Sequence, residues 1–147
     1  MNAKKILVAV SAVILTIALA CVMAGCDKSG SIVDAFKAKE YTVTEVSTDN
    51  DSAKNILKTA GLTDEQVENA SEYKLYLCTA KGLASLTSSG LVIKFPSNGK
   101  LKEFLTVEDK DGNKDSSAYD KAKENGSING NCLYFGTPAG KEIFQNA

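Results

Sequence analysis

The hydrophobic pattern of this chain changes character near residue 26. Before that point an apolar run from Ile6 to about Ala20 follows Lys4 and Lys5, then gives way to small residues. After it, apolar residues recur with the periods of helices and strands. Ile32, Val33, Ala35 and Phe36 predict a short helix to about Lys39, opened by Ser31 and Asp34 in a capping-box arrangement. Tyr41 to Val46 is β-branched and alternating, and reads as the first strand. Asp49, Asn50 and Asp51 offer caps for a helix whose Ala53, Ile56, Leu57 and Ala60 share one face, and Gly61 stops it. Thr63 and Gln66 form a second capping box, with a short helix running to about Ala70.

The second half repeats the theme. Tyr73 to Thr79 is the clearest strand, with Leu75 and Leu77 on one face and Tyr76 and Cys78 on the other. Leu91 to Phe95 is the next strand, closed by Pro96, and Ser97 caps a helix carrying Leu101, Phe104 and Leu105. A polar stretch from 108 to 117 leads to a short helix marked by Tyr119 and Ala122. Ile128 to Phe135 reads as the last strand, with Leu133 and Phe135 opposite Cys132 and Tyr134. Thr137 and Pro138 start a final helix anchored by Ile143 and Phe144.

Helix, strand-helix-strand-strand-helix-strand, then helix is an α+β order. Its middle six elements predict a ferredoxin-like split βαββαβ sheet, with extra N-terminal and C-terminal helices. Helices on one face of that sheet leave Tyr76, Val92 and Tyr134 on the other. That face is either a binding platform for a small molecule or protein, or is covered by the terminal helices through Phe36, Ile143 and Phe144. Cys78 and Cys132 are either a disulfide or two buried thiols. In ferredoxin-like order their strands are opposite edges about 14 Å apart, which is nearly incompatible with a bond.

The first 26 residues have the three parts of a secretory signal peptide: Lys4-Lys5, the apolar run, and small residues. Ile6 to Ala24 spans roughly 19 residues, a marginal length for crossing a bilayer. Met23-Ala24-Gly25-Cys26 resembles the lipobox of bacterial lipoproteins, with Met23 where Leu is usual. The resemblance implies cleavage after residue 25, lipid on Cys26, and a membrane partner reached through that lipid. An Asp after the lipidated Cys, here Asp27, resembles an inner-membrane retention signal. Both single- and double-membraned cells would then hold the domain on the outer face of the cytoplasmic membrane. The expected division is a signal peptide at 1–25, a lipidated cysteine with a short flexible linker at 26–31, and one domain at 32–147.

Composition narrows the chemistry. The chain has no His, no Arg and no Trp. The usual general base, the commonest zinc ligand and the bidentate anion fork are therefore missing, which argues against an enzyme. Removing the leader leaves 15 lysines against 18 acids, a net charge of about −3 that does not suggest a nucleic-acid partner. No cofactor is expected, with one candidate exception. Asp109, Asp111, Asn113, Asp115 and Asp120 place oxygens at alternating positions resembling an EF-hand calcium loop, although Lys114 stands where the loop needs Gly. A calcium-dependent surface domain is thus the main alternative to a non-enzymatic binding module, and a small hydrolase the lesser one. Ser97 and Lys100 match the Ser-x-x-Lys of penicillin-recognising enzymes, but the accessory motifs come in the wrong order and Ser97 reads better as a helix cap.

Overall fold

The computed structural model describes residues 27–86 and 88–147. In chain order the helices are α1 (Ser29–Ala38), α2 (Asp51–Thr59), α3 (Asp64–Asn69), α4 (Asn98–Phe104), α5 (Ser117–Glu124) and α6 (Pro138–Gln145). The strands are β1 (Thr42–Val46), β2 (Lys74–Thr79), β3 (Ser89–Lys94), β4 (Val107–Glu108), β5 (Lys114–Asp115), β6 (Ile128–Asn129) and β7 (Cys132–Gly136). Several starts are capped as the sequence predicts. The Ala53 amide donates to the Asn50 side chain, Thr63 and Gln66 close a full capping box, and the Lys100 amide donates to Ser97 Oγ. Gly61 ends α2 with a φ of 88°, a left-handed turn that a side chain would strain.

Five strands form one antiparallel sheet in the order β1-β2-β3-β7-β6, and β4 pairs with β5 in a separate hairpin. The α+β class is as expected, but the order differs from the ferredoxin-like one. β1, β2 and β3 follow one another antiparallel, and β7 then lies between β3 and the short edge strand β6. The reason lies in the connections. Two helices, not one, separate β1 from β2, and two again separate β3 from β6. A single helix carries the chain to the far end of the sheet and makes the next strand parallel. The pair between β1 and β2 brings the chain back to the end it left, so β2 runs antiparallel to β1. After β3 the chain instead enters β6, parallel to β3 at the sheet edge, and the Gly130-Asn131 turn sends β7 back between them.

The predicted strand Ile128 to Phe135 is also divided. Gly130-Asn131 forms a two-residue hairpin loop between β6 and β7, with Ile128 opposite Leu133 and Gly130 at a φ of 59°. At the other terminus α1 starts at Ser29, inside the expected flexible linker. The Asp27 carboxylate accepts from the Ser29 amide at 3.0 Å and the Ser29 hydroxyl at 2.7 Å, so Asp27 satisfies the first amide of α1, and the capping box predicted at Ser31 and Asp34 does not open the helix.

Both faces of the sheet are buried. On one, Leu75, Leu91, Ile93 and Leu133 meet Ala53 and Leu57 of α2, Val67 of α3, and Leu101 and Phe104 of α4. On the other, Cys78, Val92, Cys132 and Tyr134 meet Ile32 and Phe36 of α1 and Phe144 of α6. The Tyr134 ring stacks between Phe36, at 6.1 Å, and Phe144, at 5.5 Å, and its hydroxyl donates to the Thr137 carbonyl at 3.0 Å. Two glycines make room for it: a Cβ on Gly90 would lie 2.4 Å from the ring, and one on Gly140 would lie 2.0 Å from the phenol oxygen.

Gly90→Ala is therefore expected to destabilise the fold by about 1–3 kcal/mol through overpacking. Gly99→Ala, on helix α4 with only an ordinary contact at 3.6 Å, is expected to be neutral or stabilising by up to ~1 kcal/mol. Urea unfolding of the two variants separates them, and equal midpoints would refute the packing account of Gly90.

Candidate functional site

The face expected to bind is assembled but closed. Strand register sets Tyr76, Val92 and Tyr134 in one row across β2, β3 and β7, as the alternation predicts. Val92 and Tyr134 are each 1% exposed beneath α1 and α6, and only Tyr76 is half-buried. This row is the second core of the molecule and not a platform. Its cause is the apolar stripe of each terminal helix, which has no other surface to bury.

Of the two alternatives for the cysteine pair, the structure has the buried thiols. Cys78 and Cys132 share that face as buried free thiols. Cys78 sits opposite Gly90 and Cys132 opposite Lys94, so β3 lies between them and their register differs by the span from 90 to 94. That places them about 10 Å apart across the sheet and about 13 Å along it, beyond any disulfide. Burial pushes both thiols up to about 12, far from a reactive thiolate.

The acidic residues 109 to 120 belong to three different local structures. Asp109 closes the β4–β5 hairpin, accepting from the amides of Asp111 and Asn113, each at 2.9 Å, and from the Asn113 side chain at 3.0 Å. Those bonds hold its carboxyl below the usual range. Asp115 lies on β5, and its carboxylate accepts from the Ser117 amide at 2.8 Å at the start of α5. Asp120 lies within α5, and Asp111 and Asn113 sit on the exposed loop. Among the described residues no three His, Cys, Asp or Glu side chains converge as a metal site. Ser97 serves α4 as its cap, while the Lys100 ammonium reaches Glu103 at 2.8 Å and not the serine hydroxyl.

Two features were not singled out from the sequence. The first is a groove of about 510 Å³ between α3, α4 and the start of β4. Its inner wall is Tyr73, packed at 4.4 Å on Phe95 and edge-on at 6.0 Å to Phe104. Glu65, Glu72, Glu103 and Glu108 line it against one lysine, Lys100, and Val107, 53% exposed, stands at its lip. Burial and then the Glu72 charge raise the Tyr73 phenol, so it stays a neutral hydrogen-bonding group. The groove offers an aromatic wall and an acidic rim. No periodicity marks it, because its walls come from three separate elements.

The second feature is the attachment of the N-terminal segment. Asp27 pairs with Lys94 at the end of β3, and the Lys28 amide donates to Asn131 Oδ1 at 3.2 Å. Asn131, 3% exposed, also donates from Nδ2 to the Phe95 carbonyl at 2.6 Å, and the Phe95 amide donates back to its carbonyl at 2.9 Å. The bond from Lys94, with the one from Ser29, lowers the Asp27 carboxyl to about 2. The Gly-Asn dipeptide at 130–131 was the sequence signal for this turn. Cys26, the expected lipid site, lies outside the described residues, and among those residues no helix is long and apolar enough to cross a membrane.

Native Cys78 and Cys132 are expected to resist a thiol reagent at pH 8 until denaturant is added, after which both react without reductant. A bond between them would leave the unreduced, denatured chain with neither thiol free. For Asp27 the folded pKa lies below the unfolded one, so its contribution is present above about pH 4 and disappears as pH falls toward 2. The pair is half-exposed and screened, so the effect is small, below ~1 kcal/mol. Asp27→Asn should lower stability at pH 7 by that amount and be neutral at pH 2; an unchanged pH 7 midpoint would remove the ion pair from the fold's energetics.

No protein-family model matches the chain, and no similar curated protein or solved structure was found.

Proposed function

We propose that this chain is a bacterial lipoprotein whose domain is carried on the outer face of the cytoplasmic membrane and works as a non-enzymatic binding module. The observation that carries the address is the pattern from Lys4 to Cys26, ending in the Met23-Ala24-Gly25-Cys26 resemblance to a lipobox. Two acyl chains on one cysteine give stable anchoring where a single chain is marginal.

Binding in place of catalysis is supported by where the reactive groups are committed. Both described cysteines are buried protonated thiols, Ser97 caps α4, and Lys100 is paired with Glu103. The groove beside Tyr73 is the candidate contact surface for a small molecule or a protein segment. Its acidic rim favours a ligand with cationic or hydrogen-bond-donating groups.

Expression in a lipoprotein-processing bacterium fed labelled palmitate tests the address. The natural chain is expected in the membrane fraction, labelled and shortened by its leader. Cys26→Ser is expected to be unlabelled and to keep the precursor's mass. An unlabelled natural chain, or a label that survives Cys26→Ser, would refute the assignment.

A further inference from the structure

We infer that the domain stands on the bilayer in a fixed orientation, with the Lys94–Asn131 end of the sheet against the lipid headgroups and the Gly82–Leu86 end pointing away. This rests on the lipid attachment at Cys26 proposed above. Asp27 is joined directly to Cys26, so their Cα atoms lie about 3.8 Å apart. From Asp27 onward there is no slack. Its carboxylate is held by Lys94 and Ser29, the Lys28 amide is held by Asn131, and α1 begins at Ser29. Ile32 and Phe36, one and two turns on, are fully buried in the sheet.

The headgroup layer of one leaflet is only about 5–8 Å thick. With acyl chains on Cys26 in the hydrocarbon, Asp27 lies within that layer or at its outer surface. The end of β3 and the β6–β7 turn come with it. Pro96, Ser97, Asn98 and Gly130 are exposed there, and the C-terminus is drawn to the same end, since Asn129 Nδ2 donates to the Phe144 carbonyl at 2.8 Å. At this end Lys94 is paired with Asp27 and Lys74 lies 3.8 Å from Glu45, while Lys28 adds one further positive charge. The short tether, and not attraction to anionic lipid, sets the orientation. The other end of β3 lies about 20 Å away along the strand. It carries the 82–86 segment and Leu83, 89% exposed, which the tether keeps out of the lipid.

The test uses the full-length lipidated protein in vesicles of phosphatidylcholine containing a gadolinium-chelating headgroup lipid. Nitroxides are placed through Asn98→Cys or Leu83→Cys, both exposed, while Cys78 and Cys132 are buried and Cys26 is acylated. Relaxation of the label at 98 is expected to exceed that at 83 by roughly tenfold, given a height difference of about 20 Å. Inserting ten Gly/Ser residues between Cys26 and Asp27, about 17 Å of flexible chain, is expected to bring the two labels close to equality. Equal relaxation in the natural chain, or a contrast that survives the insertion, overturns the inference while leaving lipidation intact. Mass spectrometry of the same sample reports the lipid, and its absence overturns the lipoprotein reading and the orientation together.

Discussion

The buried amide of Asn131 joins three parts of the chain that are distant in sequence. Its side chain donates to the carbonyl of Phe95 and accepts from the amide of Lys28, and its backbone pairs with the Phe95 amide. A buried amide without those partners would cost about 1–3 kcal/mol, so the turn, the end of β3 and the start of α1 are held together or not at all. Gly130 makes this possible by turning the chain within two residues, so that Asn131 points into the molecule. Once α1 is fixed at its start, its apolar stripe is laid along the sheet and the second core closes over Tyr134.

That second core sets the character of the protein. An antiparallel sheet commonly keeps one face wet. Here the face bearing Tyr76, Cys78, Val92, Cys132 and Tyr134 is roofed by α1 and α6, which meet each other over it. The residues that looked most like a ligand platform are therefore structural, and the two thiols are kept apart and protonated. Any recognition is displaced to the rim, to the groove beside Tyr73 and to the segment between β2 and β3.

Much of this fold was legible locally. The caps at Asn50, Thr63, Ser97 and Thr137, the stop at Gly61 and the facing of β2 and β7 all follow from nearest-neighbour chemistry, and each is present. The strand order was not legible in the same way. Two helices were visible in each long connection, but whether a pair returns the chain to its starting end depends on how the helices pack, which no local signal records. The break at Gly130-Asn131 was missed because Ile128 and the apolar run from Cys132 to Phe135 lie close enough in sequence to read as one strand. The groove went unseen because Tyr73, Lys100 and Glu108 become neighbours only after folding.

The sequence alone determined the absence of His and Arg, which removes histidine- and arginine-based chemistry, and the faces of individual strands. Those are properties of covalent order and of side chains within a few residues of one another. Tertiary structure alone decided that β7 enters between β3 and β6, that Val92 and Tyr134 are buried, and that Asp27 and Lys28 are fastened to Lys94 and Asn131. Each of these depends on which distant apolar surfaces meet, and burial is non-directional: it rewards covering a face without specifying, in the sequence, what covers it.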